Sequence, residues 1–131
     1  MGILLYIIAT VLWIILTPIN WVIVSFKYGL SNSYFLETAT DIDKFGNRNF
    51  RAFLNATMTK PKVKMWDSER FMIIEPYKFG NVNETISSAL GKNQRDGTLS
   101  WFGWLIVYLL WAIDYKYWKK GGHCINSISE I

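Results

Sequence analysis

Hydrophobic and polar positions divide the chain into an apolar amino-terminal run, a mixed middle and a second apolar segment near the end. Ile3 to Phe26 holds 24 residues without one charged side chain. As a helix this run reaches about 36 Å at 1.5 Å per residue, enough to cross a hydrocarbon core of about 30 Å with some tilt. The competing reading is a cleaved signal peptide, which needs a basic start, an apolar stretch of about 7 to 15 residues and a small-residue cleavage site. None of the three is present, so the pattern predicts a retained transmembrane helix. Pro18 removes a backbone donor inside it, which predicts a kink near Ile14 to Pro18. Trp13 then falls mid-membrane, while Trp21 sits at an interface.

The middle reads as ordered, because no Gly/Ser/Pro-rich tract or like-charge block interrupts it. Phe35, Ala39, Ile42 and Phe45 recur at helical spacing over Tyr34 to Phe45, with Gly46 and Asn47 as the expected stop. Asn49 to Met58 predicts a second short helix that buries Phe50, Phe53 and Leu54. Lys62 to Trp66 and Phe71 to Ile74 flank the polar turn Asp67-Ser68-Glu69-Arg70 and predict a hairpin. Asn83 is the expected N-cap of a helix over Glu84 to Leu90, with Glu84 at the positive helix end and Gly91 as its stop.

The second apolar segment, Leu99 to Ile113, has 15 residues and spans about 22 Å as a helix, short of the hydrocarbon core. Extending it takes in Asp114 and Lys116. Its aromatic spacing is more telling: Trp101, Trp104, Tyr108, Trp111, Tyr115 and Trp118 recur at alternating steps of three and four, which places them on one helical face. Trp and Tyr favour the headgroup level of a bilayer. Three readings stay open, namely an interfacial or domain-packed helix, a second span, and a seam for a partner helix. A second span would leave Lys116, Lys119 and Lys120 outside, against the positive-inside rule. The expected fold is mainly α, with a transmembrane anchor over 1–30 and a small cytoplasmic domain over 31–98 containing a possible β-hairpin. An aromatic membrane-associated or second transmembrane helix over 99–120 and a tail over 121–131 complete it.

Charge refines this picture. The net charge is +4, and residues 27–98 carry eleven basic against eight acidic side chains. That surplus is too dilute for a nucleic-acid footprint and fits contact with an anionic membrane surface. Lys27 directly follows the apolar run, so the positive-inside rule places the amino terminus outside and the bulk in the cytoplasm. A lone cysteine, Cys124, suits a reducing compartment. Asn55-Ala56-Thr57 and Asn83-Glu84-Thr85 match the glycosylation pattern, which is common by chance and has no meaning in a bacterial or cytosolic setting.

Candidate chemistry is sparse. His123 and Cys124, the single histidine and single cysteine, are adjacent, whereas a thiol and its base normally come from separate parts of a chain so that they can align. Cys124, His123 and Glu84 are the candidates for a catalytic centre. A metal could draw on His123, Cys124 and carboxylates such as Asp41, Asp43 or Glu84, but no ligand-spacing motif announces one. The competing reading is a tail that docks back on the domain, with Cys124 as a small hydrophobe and His123 in a hydrogen bond. Asn47 and Asn81, each after a glycine, are turn chemistry, and a Gly-Asn loop entering a helix could alternatively hold an anion. No cofactor is expected. The expected membrane-interface residues are Trp21, Lys27, Trp101, Trp104, Tyr108, Trp111, Tyr115 and Trp118.

Several segments together resemble a recurring family of small proteins of tailed bacteriophages: A-T-D-I-D-K-F-G-N (Ala39 to Asn47), F-L-N-A-T (Phe53 to Thr57), Y-K-F-G-N-V-N-E-T-I-S-S-A-L-G-K-N-Q-R-D-G-T-L (Tyr77 to Leu99) and H-C-I-N-S-I (His123 to Ile128). The resemblance covers residues 34–129, and the combination of G-N-x-x-E-T-I-S-S with H-C makes it specific. It implies a phage gene product acting in a bacterial host and brings no biochemical activity to carry over. Similar proteins commonly carry Lys or Arg in the helix that here, from Ser100 to Ile113, has no charge. The expected function is that of a host-membrane-anchored accessory protein of non-enzymatic type, modifying the host membrane or excluding competing phages. Its partners would be the bilayer and a host membrane protein or a second copy, not nucleic acid. A holin-like lysis protein and a small Cys/His-dependent enzyme or metal protein are the alternatives.

Overall fold

The computed structural model describes residues 1–30, 33–65, 67 and 69–129. Trp66 and Ser68, expected in the hairpin, lie outside the described residues, as do Ser31, Asn32, Glu130 and Ile131. The fold is mainly helical with one two-stranded antiparallel hairpin. It divides into two compact units, Met1–Ala39 and Thr40–Ile131, rather than at the expected boundary near residue 30.

The first unit is built on α1 (Gly2–Tyr28), which stays helical through Pro18. The hydroxyls of Thr10, Thr17 and Ser25 donate to the carbonyls of Tyr6, Trp13 and Trp21, four residues back. Each polar side chain is thus satisfied by its own helix inside an apolar run. Gly29, at φ +82°, ends α1 in a conformation that favours glycine. In the first turn of α2 (Ser33–Asn49), the Tyr34 ring stacks on Tyr28 with centroids 6.4 Å apart. The Tyr34 hydroxyl accepts from the Asn20 amide at 3.1 Å.

In the second unit α2 continues to Asn49, past its expected stop. Gly46 and Asn47 are buried inside the helix: Ile86 packs against the bare Gly46 backbone, and the Asn47 side chain reaches across to another loop. A short α3 (Arg51–Thr57) follows and buries Leu54, while Phe50 and Phe53 stay exposed. Strands β1 (Lys62–Met65) and β2 (Phe71–Ile74) pair with Val63 opposite Ile73 and Met65 opposite Phe71. The Asp67 carboxylate closes their turn by accepting from the backbone N–H of Glu69 and Arg70.

Helix α4 (Ile86–Asp96) starts and ends later than its sequence signals indicate. Thr85, not Asn83, is the cap, its hydroxyl accepting from Ser88 N–H at 3.1 Å; the Asn83 N–H donates to the Asn81 side chain instead. Gly91 lies mid-helix, and the stop is Gly97 at φ +74°. Gly91 is required for a different reason. A Cβ there would overlap the Cys124 carbonyl and come within 2.8 Å of Ile128 Cγ1, because α6 (Gly122–Asn126) crosses at this point. Gly91→Ala is therefore expected to destabilise the second unit by about 1–3 kcal/mol through overpacking, read as a lowered urea midpoint.

Between them, α5 (Trp101–Ile113) is capped by the Ser100 hydroxyl, which accepts from Gly103 N–H at 3.2 Å. Its 13 residues span about 20 Å. Asp114 leaves the helical conformation, a 3-10 turn covers Tyr115–Tyr117, and Gly121 and Gly122 at φ +89° and +87° turn the chain back. The core gathers Leu54, Met58, Phe79, Ala89, Leu90, Leu99, Val107 and Cys124.

Candidate functional site

The three candidate catalytic side chains fall into two separate polar clusters. Glu84 precedes α4 and is 1% exposed. Its carboxylate takes the Lys92 ammonium at 2.6 Å, the Ser88 hydroxyl at 2.7 Å and the Tyr77 hydroxyl at 2.7 Å. Lys92 also lies over the Tyr77 ring, 4.3 Å from its centroid. Burial alone would raise the Glu84 carboxyl, but the bonds from Lys92, Ser88 and Tyr77 outweigh it and hold the pKa below its ordinary 4.5. For Lys92, burial opposes the charge, yet Glu84 and Tyr77 raise its pKa above 10.5. This is a closed ion pair with its donors used internally, which fixes the loop before α4 onto the helix.

Around this pair, three asparagines hold the backbone of the 77–84 loop. Asn47 donates to the Asn81 and Glu84 carbonyls and accepts from Gly80 N–H. Asn55 bonds both the N–H and the carbonyl of Phe79. Asn93 does the same for Tyr77 and accepts from the Thr98 hydroxyl. A polar loop can run through a core only when its backbone groups find such partners. The sequence reading missed these roles, although asparagines on the flanking helices were the available signal.

Cys124 is fully buried in α6. Burial, with a smaller effect from the Asp43 charge, pushes its thiol up from 9.0 to about 12. At neutral pH the sulfur is a protonated packing group, whereas a nucleophile or metal ligand is a thiolate. His123 faces elsewhere: its Nδ1 lies 2.7 Å from the Asp114 carboxylate and its Nε2 is 3.3 Å from the Ser127 hydroxyl. Asp43 accepts from Ile86 N–H at the start of α4, and burial raises its pKa above 3.8. Asp41 is exposed on α2. No group of three His, Cys, Asp or Glu side chains among the described residues is placed to hold a metal ion.

These shifts fix the pH dependence. Cys124, raised in the folded state, contributes stability that is full below 9.0 and lost as pH climbs toward about 12. Tyr77 and Lys92, raised above 10.0 and 10.5, add to that loss only later. Unfolding followed between pH 9 and 10 is therefore expected to lose about 1 kcal/mol more in the wild type than in Cys124→Ala. On the acid side Glu84, lowered in the folded state, withdraws its contribution as pH falls below 4.5, and Asp43 opposes it with the reverse sign.

The aromatic residues do not share one face. Because α5 ends at Ile113, Tyr115 lies in the 3-10 turn and Trp118 beyond it. Trp104, Tyr108 and Trp111 do stack in a ladder, with centroids 5.4 and 6.2 Å apart. Trp111 is half-buried: Gly122 packs on its ring, and its indole N–H donates to the Trp118 carbonyl. Trp101, Tyr115 and Trp118 are exposed, at 78%, 79% and 55%. The outward line of α5 is instead Trp101, Leu105, Tyr108, Leu109 and Ile113, all exposed. Sequence reasoning overlooked it because it ranked residues by aromaticity, while the helix buries by position, through Gly103 and Val107. In the first unit Trp21 is exposed and Lys27 lies at the carboxyl end of α1, over the Tyr28 ring.

Comparisons with protein-family models, with curated proteins and with solved structures give no match for this chain.

Proposed function

We propose that the chain is a phage-encoded accessory protein held in the inner membrane of a bacterial host, acting by interaction rather than by chemistry. The observation that carries this reading is α1. It has 27 residues, is long and apolar enough to cross a membrane, and leaves its most apolar window uncovered by the rest of the chain. Lys27 at its end favours an amino terminus outside and residues 40–131 in the cytoplasm. The line of Trp101, Leu105, Tyr108, Leu109 and Ile113 supports a second bilayer contact. At about 20 Å, α5 is too short to span, and a helix with one packed face and one apolar exposed face suits the headgroup boundary. The phage setting rests on the motif resemblance, and the role that follows is modification of the host membrane or exclusion of a second phage.

The test begins with expression of the full chain in bacteria. Retention in the membrane after carbonate extraction supports the anchor, and release into the soluble fraction removes it. Quenching of tryptophan fluorescence by vesicles of brominated phosphatidylglycerol should weaken when Leu105 and Leu109 are both changed to Glu. Challenge with phages should show reduced plating or DNA entry; unchanged plating counts against exclusion. Timed collapse of membrane potential with lysis would instead favour a holin-type role. Loss of function in Cys124→Ser at unchanged expression would favour chemistry.

A further inference from the structure

Five of the seven hydrogen-bonding side chains in the apolar run of α1 lie on one line. Tyr6, Thr10, Trp13, Thr17 and Asn20 follow at steps of four, three, four and three. At about 100° per residue they fall within an arc of about 80°. Trp21 and Ser25, in the last turns, are the exceptions, and the rest of the circumference carries no hydrogen-bonding side chain, being aliphatic apart from Pro18 and Phe26. Alternating steps of three and four are the seam of a left-handed helix pair, the commonest packing between membrane helices.

Two groups on this seam have bonding capacity left over. Asn20 gives one amide hydrogen to Tyr34, while its other amide hydrogen and its carbonyl oxygen have no partner among the described residues. The Trp13 indole N–H has none either, and Trp13 stands in the middle of the run, away from the headgroup level where indoles find partners. In hydrocarbon, unmet donors and acceptors are costly. The Thr10 and Thr17 hydroxyls donate to their own helix, which leaves their oxygens able to accept.

We propose that this seam pairs with the same seam on a second copy of the chain, forming a parallel dimer within the bilayer; the inference rests on α1 being a membrane span. Helices inserted with one orientation bring every copy in at the same depth and direction. A second copy therefore sets Asn20 beside Asn20, where two amides are mutually complementary, and sets the Trp13 N–H beside the Thr10 and Thr17 oxygens. An unrelated host helix would need the matching pattern at the matching depth, which a second copy has by construction.

The test is disulfide scanning of the full chain in bacterial membranes. Native Cys124 is fully buried, so the wild type is the blank. Cysteines are placed singly on the seam, as T10C and T17C, and off it, as V11C, I15C and I19C, then oxidised with copper phenanthroline. Seam positions are expected to give about tenfold more covalent dimer than the others, and Asn20→Leu should weaken dimerisation of fluorescently labelled chains in phosphatidylglycerol vesicles about tenfold. Equal cross-linking on all faces, a maximum at I15C, or an unchanged Asn20→Leu dimer would overturn the seam. Carbonate extraction separates the two readings: a chain that stays in the membrane with a silent seam defeats the pairing alone, and a chain that washes off defeats the span and the pairing together.

Discussion

Glu84→Ala should lower the stability of the second unit by about 3–5 kcal/mol, because it leaves the Lys92 ammonium buried without its counter-charge. Lys92 has 6% of its side chain exposed and, among the described residues, reaches no other carboxylate within salt-bridge distance. Its remaining partners are the Tyr77 hydroxyl at 3.3 Å and the face of that ring, neither of which neutralises a full charge. The comparison that isolates this effect is the double change Glu84→Gln with Lys92→Met, which removes both charges at similar volume. It should recover most of the loss, since replacing a whole buried pair is often close to neutral. Urea unfolding of the full chain in detergent, followed by near-ultraviolet circular dichroism, reads both variants. Equal instability in the single and double changes would mean that shape, not charge, holds this corner together.

The second large effect is expected at Asn47. Its amide nitrogen points at two carbonyl oxygens, those of Glu84 at 2.8 Å and Asn81 at 3.1 Å. Asn47→Asp keeps the shape but aims a carboxylate oxygen at both. Two hydrogen bonds become repulsions and a charge is buried without a counter-charge, at a cost of about 3 kcal/mol or more. Asn47→Ala should cost less, because it leaves the carbonyls and the Gly80 N–H unmet without adding a charge. The order wild type, Ala, Asp in urea midpoint checks the argument; an Asp variant as stable as the wild type would show that the loop carbonyls do not depend on this donor.

The elements that could be read from sequence are those governed by local pattern. The apolar run predicts α1 because its period and length need no knowledge of what surrounds it. The hairpin follows from two short apolar runs around a polar turn, and Asp67 closes it locally. Where reading failed, a distant segment decided. Gly46 and Gly91 look like helix stops, since glycine commonly ends helices, yet each is a place where another element needs the missing Cβ, Ile86 in one case and the Cys124 backbone in the other. Glu84 looks like an ordinary residue of a helix start, and only Lys92, Tyr77 and Ser88 make it an interior charge. The aromatic spacing of α5 was legible as far as Trp111. Its failure at Tyr115 and Trp118 comes from the turn at Asp114, whose carboxylate is engaged by His123 of the returning α6.

The β1–β2 hairpin shows what uneven burial does to the timing of motion. Its two strands are hydrogen-bonded to each other, and apart from half-buried Ile74 every strand residue is exposed. Helix α4, by contrast, has Ser87 through Asn93 all buried. A pair of strands with almost no interior contact opens at a small fraction of the global unfolding free energy. In deuterated water the amides of residues 62–65 and 71–74 should exchange early, while those in the centre of α4 wait for the whole second unit to unfold. The strand pair is thus a separate kinetic compartment, open and closed many times within a single folded lifetime of the helices.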